Sequence, residues 1–267
     1  MTDLTVNSPL FVNIRVLPLR LEDFEFLALQ NLQPEYYFSG DAVDEYSGEK
    51  LDQLTASLEK WKFSPIFHSP FFNLNPGAQD AKIRAVSEER ILWALQTAKH
   101  LGADQVVVHP GYGPWVPKRS FPHWLERARG SLAKIVAQAA DLQIKIAFEN
   151  IYDPGPEDLA ALIALFPPET VGVCFDVGHF NLFSEYSMKT WLDTLGERIL
   201  EVHLHDNLGT EDDHIAIGDG TVKFGTLLSW LPKHRRQVRL TLEMEQRTHV
   251  IKSVARLREW LSPSSSD

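Results

Sequence analysis

Nine side chains able to bind a divalent cation are spread along this chain: His68, His109, Glu149, Asp176, His179, His203, Asp212, His214 and Glu243. Imidazole nitrogens and carboxylate oxygens suit Zn²⁺, Mn²⁺, Co²⁺ or Fe²⁺, and no thiolate stands among them to suggest a cysteine-type structural zinc. Four of them close short apolar runs, PIFH, QVVVH, KIAFE and VGVCFD. A carboxylate at the end of such a run, as at Glu149, is costly to bury without a partner. Taken singly, each residue has an ordinary alternative. A strand-end histidine is commonly a hydrogen-bonded surface residue, the DDH and GDG stretches read as turns, and Asp176 could instead cap a following helix. Joining all nine in one site requires a fold that gathers strand ends.

The alternation of elements supplies one. Strands are expected at 11–17, 35–38, 64–68, 105–109, 145–149, 171–176, 199–206 and 238–244, from their apolar and β-branched composition. Amphipathic stretches fall between them: LEDFEFLALQNL, EKLDQLTASLEKW, SEERILWALQTAKHLG, HWLERARGSLAKIVAQAADL, PEDLAALIALF, MKTWLDTLGERI, FGTLLSWL and VIKSVARLREWL. Strict β/α alternation predicts an α/β chain folded as a single-domain (β/α)₈ TIM barrel over 1–261. The short aromatic EYYF is the weakest strand and leaves the count at seven or eight. The tail 262–267 is small and polar and is expected to fray. A parallel barrel builds its site at the C-terminal ends of its strands, where the ligand-type residues fall. Along the seventh strand His203 and His205 share a face, so one can ligate while the other, or Asp206, supports it.

Composition narrows the function classes. With 267 residues, 44% hydrophobic, and seven Trp, the chain can bury a sizeable core. A net charge of −10 disfavours a nucleic-acid partner, although bound cations would reverse the local field. Cys174, the sole cysteine, reads as a small core residue, and no intramolecular disulfide can form. No apolar run approaches the roughly 18 residues of a membrane span, and the N-terminus reads without a signal peptide. A soluble cytoplasmic protein is the expectation.

The segments FHSPFFNLNPG, VVVHPG, IAFEN, FDVGH, VHLHDN, DDHIAIGDG and LTLE, in this order, resemble the xylose-isomerase-like TIM-barrel superfamily. That group joins sugar isomerases and epimerases to endonuclease IV. The resemblance implies two nested ligand sets. The ketose-epimerase pattern implies one divalent ion on Glu149, Asp176, His203 and Glu243, with Glu149 and Glu243 moving protons on opposite sides of a sugar carbon. The endonuclease IV pattern implies all nine residues around three zinc ions that hydrolyse a phosphodiester. Two departures argue against DNA as substrate: NIYDPGP follows Glu149, and Asp213 stands where a basic residue is expected.

The reading favoured on these grounds is a metal-dependent isomerase or epimerase of a sugar or sugar phosphate, working through a metal-bound ene-diolate. The alternatives are a multi-zinc phosphodiester hydrolase and a non-catalytic barrel that binds a small ligand. His205, Trp115, Lys118 and Arg119 are candidate substrate contacts. The expected oligomer, where there is one, is a homodimer.

Overall fold

The computed structural model describes residues 9–17, 19–234 and 238–262. Its eight strands are β1 (Leu10–Arg15), β2 (Leu32–Tyr37), β3 (Ile66–His68), β4 (Gln105–Val108), β5 (Lys145–Glu149), β6 (Val171–Asp176), β7 (Ile199–Leu204) and β8 (Arg239–Leu242). They pair in chain order, all parallel, and β8 closes on β1. The (β/α)₈ barrel is therefore complete at eight strands. The helices are α1 (Leu21–Gln30), α2 (Gly40–Glu45), α3 (Glu49–Trp61), α4 (Ala81–His100), α5 (Phe121–Leu142), α6 (Glu157–Ile163), α7 (Val177–Phe183), α8 (Met188–Leu195), α9 (Gly225–His234) and α10 (Arg247–Leu261). The expected fraying of 262–267 falls outside the described residues, apart from Ser262.

Local chemistry explains where boundaries differ from the sequence reading. Strand β2 begins at Leu32 because Asn31 adopts a left-handed φ of 55° and ends α1 immediately before it. Helix α4 begins at Ala81 because the Asp80 carboxylate accepts from the Lys82 N–H at 2.7 Å. Its first turns face solvent and so show no apolar period. Two short helices carried no periodic signal and are set by caps. Ser39 accepts from the Ala42 N–H at 3.3 Å to start α2, and Asp176 accepts from the His179 N–H at 2.6 Å to start α7.

Period-two alternation sorts the strand side chains between two environments. Ile146, Phe148, Val173, Phe175, Val202 and Leu204 point outward and pack beneath the helices in the main core. Val107, Ala147 and Cys174 point inward and form a separate small cluster. An eight-stranded barrel leaves room inside only for packed side chains, and small residues fill the waist. Cys174 is thus a buried core thiol, as expected. Below the waist the interior is polar: the Gln105 amide donates to Glu201 at 2.5 Å, Thr241 donates to the same carboxyl group, and Arg239 donates to Gln105 at 3.1 Å. Above it lie the chemically active groups.

Candidate metal centre

Register brings the strand ends into one cluster. Asp176 pairs laterally with His203 across β6 and β7, and Glu149 lies beside Cys174 across β5 and β6. Glu149 sits centrally and is buried. Its Oε2 lies 3.2 Å from His68 Nε2 and 3.0 Å from His109 Nε2. Its Oε1 lies 3.4 Å from His179 Nδ1 and 3.5 Å from His203 Nδ1. Three groups of ligand-type atoms result, each with its members within 4.8 Å of one another: His68, His109 and Glu149; Glu149, Asp176, His203 and Glu243; and His205, Asp212 and His214. His179 joins the third through Nε2, 3.3 Å from Asp212 Oδ2, while His214 Nε2 lies 2.9 Å from the same oxygen.

Imidazole orientation fits a cation. A metal-binding histidine ordinarily donates its remote N–H to a carbonyl or carboxylate, which fixes the tautomer and aims the other nitrogen. His68 donates from Nδ1 to the Ser69 carbonyl at 2.9 Å, His179 to the Asn150 carbonyl at 3.0 Å, and His214 to the Glu243 carbonyl at 2.8 Å. Each leaves Nε2 free to face a carboxylate. His203 is reversed, with Nε2 donating to Glu35 at 3.2 Å and Nδ1 turned toward the middle group. That Nδ1 and Glu243 Oε2 lie 3.1 Å apart, buried and without a hydrogen-bond partner. Two lone-pair atoms this close in one pocket are costly unless a proton or a cation sits between them.

The electrostatics follow from this crowding. Burial pushes the Glu149 carboxyl upward, but the imidazoles of His109 and His203 outweigh it and hold the group well below the carboxylate range. Glu243 is held at about 2, with burial opposed by His203 and His214. Burial opposes the rise at His214, but hydrogen bonding to Asp212 and the nearby Glu243 charge lift it to about 9. Without a cation, protons on His68, His179, His203 and His214, all shifted upward by neighbouring carboxylates against burial, balance the charge. A bound divalent ion would replace them.

Below the cluster, burial and then the neighbouring Glu35 charge push Glu201 well above the carboxylate range, so it stays protonated. Cys174, Glu201 and His203 also lie close enough to be metal-like. There, however, Glu201 is occupied by Gln105 and Thr241, and burial keeps the Cys174 thiol protonated.

Loop geometry delivers the third group. Asp206, fully buried, accepts backbone N–H bonds from Asn207, Gly218, Gly220 and Val222 at 2.9–3.0 Å. This ties the HDN and GDG segments together and presents Asp212 and His214 from the arch between them. A Cβ at Gly220 would stand 2.2 Å from the Asn207 carbonyl oxygen, and one at Gly178 would stand 2.0 Å from the His205 ring. Both glycines are needed for close approach. Asp176 caps α7 through Oδ1 and also faces His205 and His203, so its capping and ligand roles coincide.

A cavity of about 1210 Å³ opens over the cluster, bounded by His68, His109, Glu149, His179, Asp212, His214 and Glu243, and by Trp115 on its outer wall. Three expected substrate contacts lie off the wall of this cavity. His205 is fully buried, with Nε2 on Asp176 at 3.1 Å and its ring stacked at 4.1 Å on His214, and it does not line the cavity. Lys118 and Arg119 lie in an exposed 3-10 turn outside the cavity wall. The sequence reading missed Glu35 beneath His203. It also missed Asn150, whose amide donates to the Asp176 carbonyl at 2.9 Å and accepts from the Asp176 N–H at 2.8 Å. The Asn in IAFEN, next to Glu149, was the available signal for the second.

A family model described as xylose isomerase-like TIM barrel matches residues 23–263. The uncharacterised protein MJ1311 of Methanocaldococcus jannaschii is 30% identical over 224 residues, covering 80% of this chain and 76% of that one. Among solved structures, a D-tagatose 3-epimerase-like protein superposes with a TM-score of 0.81 at 25% identity, over 95% of this chain and 97% of its own. The TTHB071 protein of Thermus thermophilus, soaked with zinc chloride, also superposes at 0.81, with 24% identity over 95% and 98%.

Proposed function

This chain belongs to the xylose isomerase-like TIM-barrel family, and from that premise we propose that it is a divalent-metal-dependent isomerase or epimerase of a sugar. The observation that supports this most directly is the middle group, Glu149, Asp176, His203 and Glu243, set at the floor of a wide cavity with two of its atoms unpartnered. These four residues would hold the ion. When bound, it would supply Lewis acidity toward adjacent carbonyl and hydroxyl oxygens. Glu149 and Glu243 approach His203 Nδ1 from β5 and from just beyond β8, at 3.5 and 3.1 Å. In this reading one carboxylate takes a carbon-bound proton, and the other returns a proton to the opposite face. His179 steadies the entrance by bridging the Asn150 carbonyl and Asp212. Likeness to an epimerase-like structure is consistent with this chemistry, although a fold alone does not fix a reaction.

A second reading, phosphodiester hydrolysis by a metal cluster, is favoured by one specific feature: the two oxygens of Glu149 face different imidazole pairs, as in a bridging carboxylate. Incubation with candidate sugars in deuterated water separates the two. Deuterium at the carbon next to the carbonyl supports proton transfer. Its absence, together with metal-dependent cleavage of a phosphodiester, replaces the isomerase reading with the hydrolase.

A further inference from the structure

An arc of exposed aromatic rings leads from the ligand cluster to the outer wall of the cavity. The His179 and Phe183 ring centroids are 6.5 Å apart, Phe183 meets Tyr152 at 5.0 Å, and Tyr152 meets Trp115 edge-on at 5.6 Å. Trp115 is 63% exposed and Tyr152 is 40% exposed. The rings contact one another and the backbone beneath them. The Trp115 ring lies over Gly113, where an added Cβ would stand 2.6 Å from it. Exposed aromatics beside a cavity offer a flat apolar face to a ligand.

Size and charge say what that face takes. The cavity, about 1210 Å³, exceeds the roughly 300–1,000 Å³ typical of pockets for drug-sized ligands and leaves ample room beyond one sugar ring at the floor. Among the described residues of its wall the guanidiniums are Arg15 and Arg247, and no lysine is present. Both are already paired, Arg15 with Glu245 at 3.0 Å and Arg247 with Asp23 at 2.7 Å. Among the residues that line the cavity, a phosphate would find no unpaired guanidinium or ammonium group. An uncharged ring with one C–H face would find an aromatic platform in Trp115 and Tyr152.

We infer that Trp115 and Tyr152 form a second carbohydrate subsite, and that the substrate is an uncharged glycoside whose second ring stacks there, with the reacting ring at the ligand cluster. This deepens the isomerase reading and rests on it.

Two measurements on the metal-loaded full chain test the subsite separately from that reading. Titration calorimetry compares maltose, cellobiose and their p-nitrophenyl analogues with free glucose, free fructose and glucose 6-phosphate. Solvent-deuterium incorporation is followed for the same sugars. The expected result is that at least one glycoside binds about tenfold more tightly than any free hexose, that W115A and Y152A each remove most of that gain, and that W115F retains it. Tighter binding of glucose 6-phosphate overturns the inference, and so does deuterium exchange into hexoses without a glycoside preference; in both cases the isomerase reading stands. If no sugar binds or exchanges, the isomerase reading falls and the subsite falls with it. If W115A leaves sugar affinity intact but turns a dimer into a monomer on sedimentation, the arc is a contact between copies and the subsite is wrong.

Discussion

Phe148 and Glu149 are neighbours in the chain and sit in opposite worlds. Phe148 points outward from β5 into the apolar layer under the helices, and Glu149 points inward among four imidazoles. The same split separates Phe175 from Asp176 on β6 and Val202 from His203 on β7. The outer layer gains stability from non-directional burial and tolerates volume-conserving exchange. The inner mouth holds charges together at a cost that only mutual hydrogen bonding, protons or a cation can offset. One layer holds the barrel closed, and the other uses that rigidity to keep repelling carboxylates close together.

Substitution at adjacent positions should pull the two roles apart. Truncation of Phe148 to Ala should cost about 3–5 kcal/mol of stability, read by denaturant unfolding, because a fully buried ring leaves a cavity. Any metal that the surviving folded fraction binds should be retained. Glu149→Gln should do the reverse, lowering turnover by roughly 10²–10⁴ and lowering metal content, with a far smaller change in unfolding midpoint. If E149Q keeps full activity on a true substrate, both catalytic readings are wrong.

A finer test lies one layer down. Glu35 holds the Nε2–H of His203 and so aims Nδ1 at the middle group. Glu35→Gln should weaken metal affinity about 10–100-fold while leaving barrel stability nearly unchanged. Unchanged affinity would mean that the tautomer is set elsewhere.

Protons sharpen the contrast further. Below about 9 His214 carries a proton that a cation must displace. Zinc uptake by the Asp212–His214 group should therefore strengthen as pH rises toward 9 and then level off, with proton release measurable by calorimetry in two buffers.

The smallest effect is expected in the loop after β5. Burial raises Asp153 to about 6, although Tyr112 donates to it at 2.5 Å. The folded chain then binds this proton more tightly than the unfolded one, whose carboxyl titrates near about 4. Its charge is a stability penalty that is absent below that lower value, grows as pH rises through the window, and is complete above about 6. Asp153→Asn should flatten the fall in melting temperature between those limits, and an unchanged slope would assign the dependence to other groups.

The sequence by itself determined the barrel and the choice of ligand residues. Alternating runs such as KIAFE and VGVCFD already state which side chains face inward, because strand period is a local property of the backbone. The nine ligand-type residues were legible for the same reason, since each lies at or near a strand's C-terminal end or in the segment that follows it. Only the tertiary structure decided how they are shared. Glu149 facing four imidazoles, Asp212 caught between His179 and His214, and Glu35 reaching His203 from β2 across the barrel depend on register and closure between strands far apart in sequence. Without that information His205, Lys118 and Arg119 read as substrate contacts, and the closed barrel places all three off the cavity wall. Residue type suggests what a side chain can bind, but direction and burial, set by the closed barrel, decide whether it reaches the cavity.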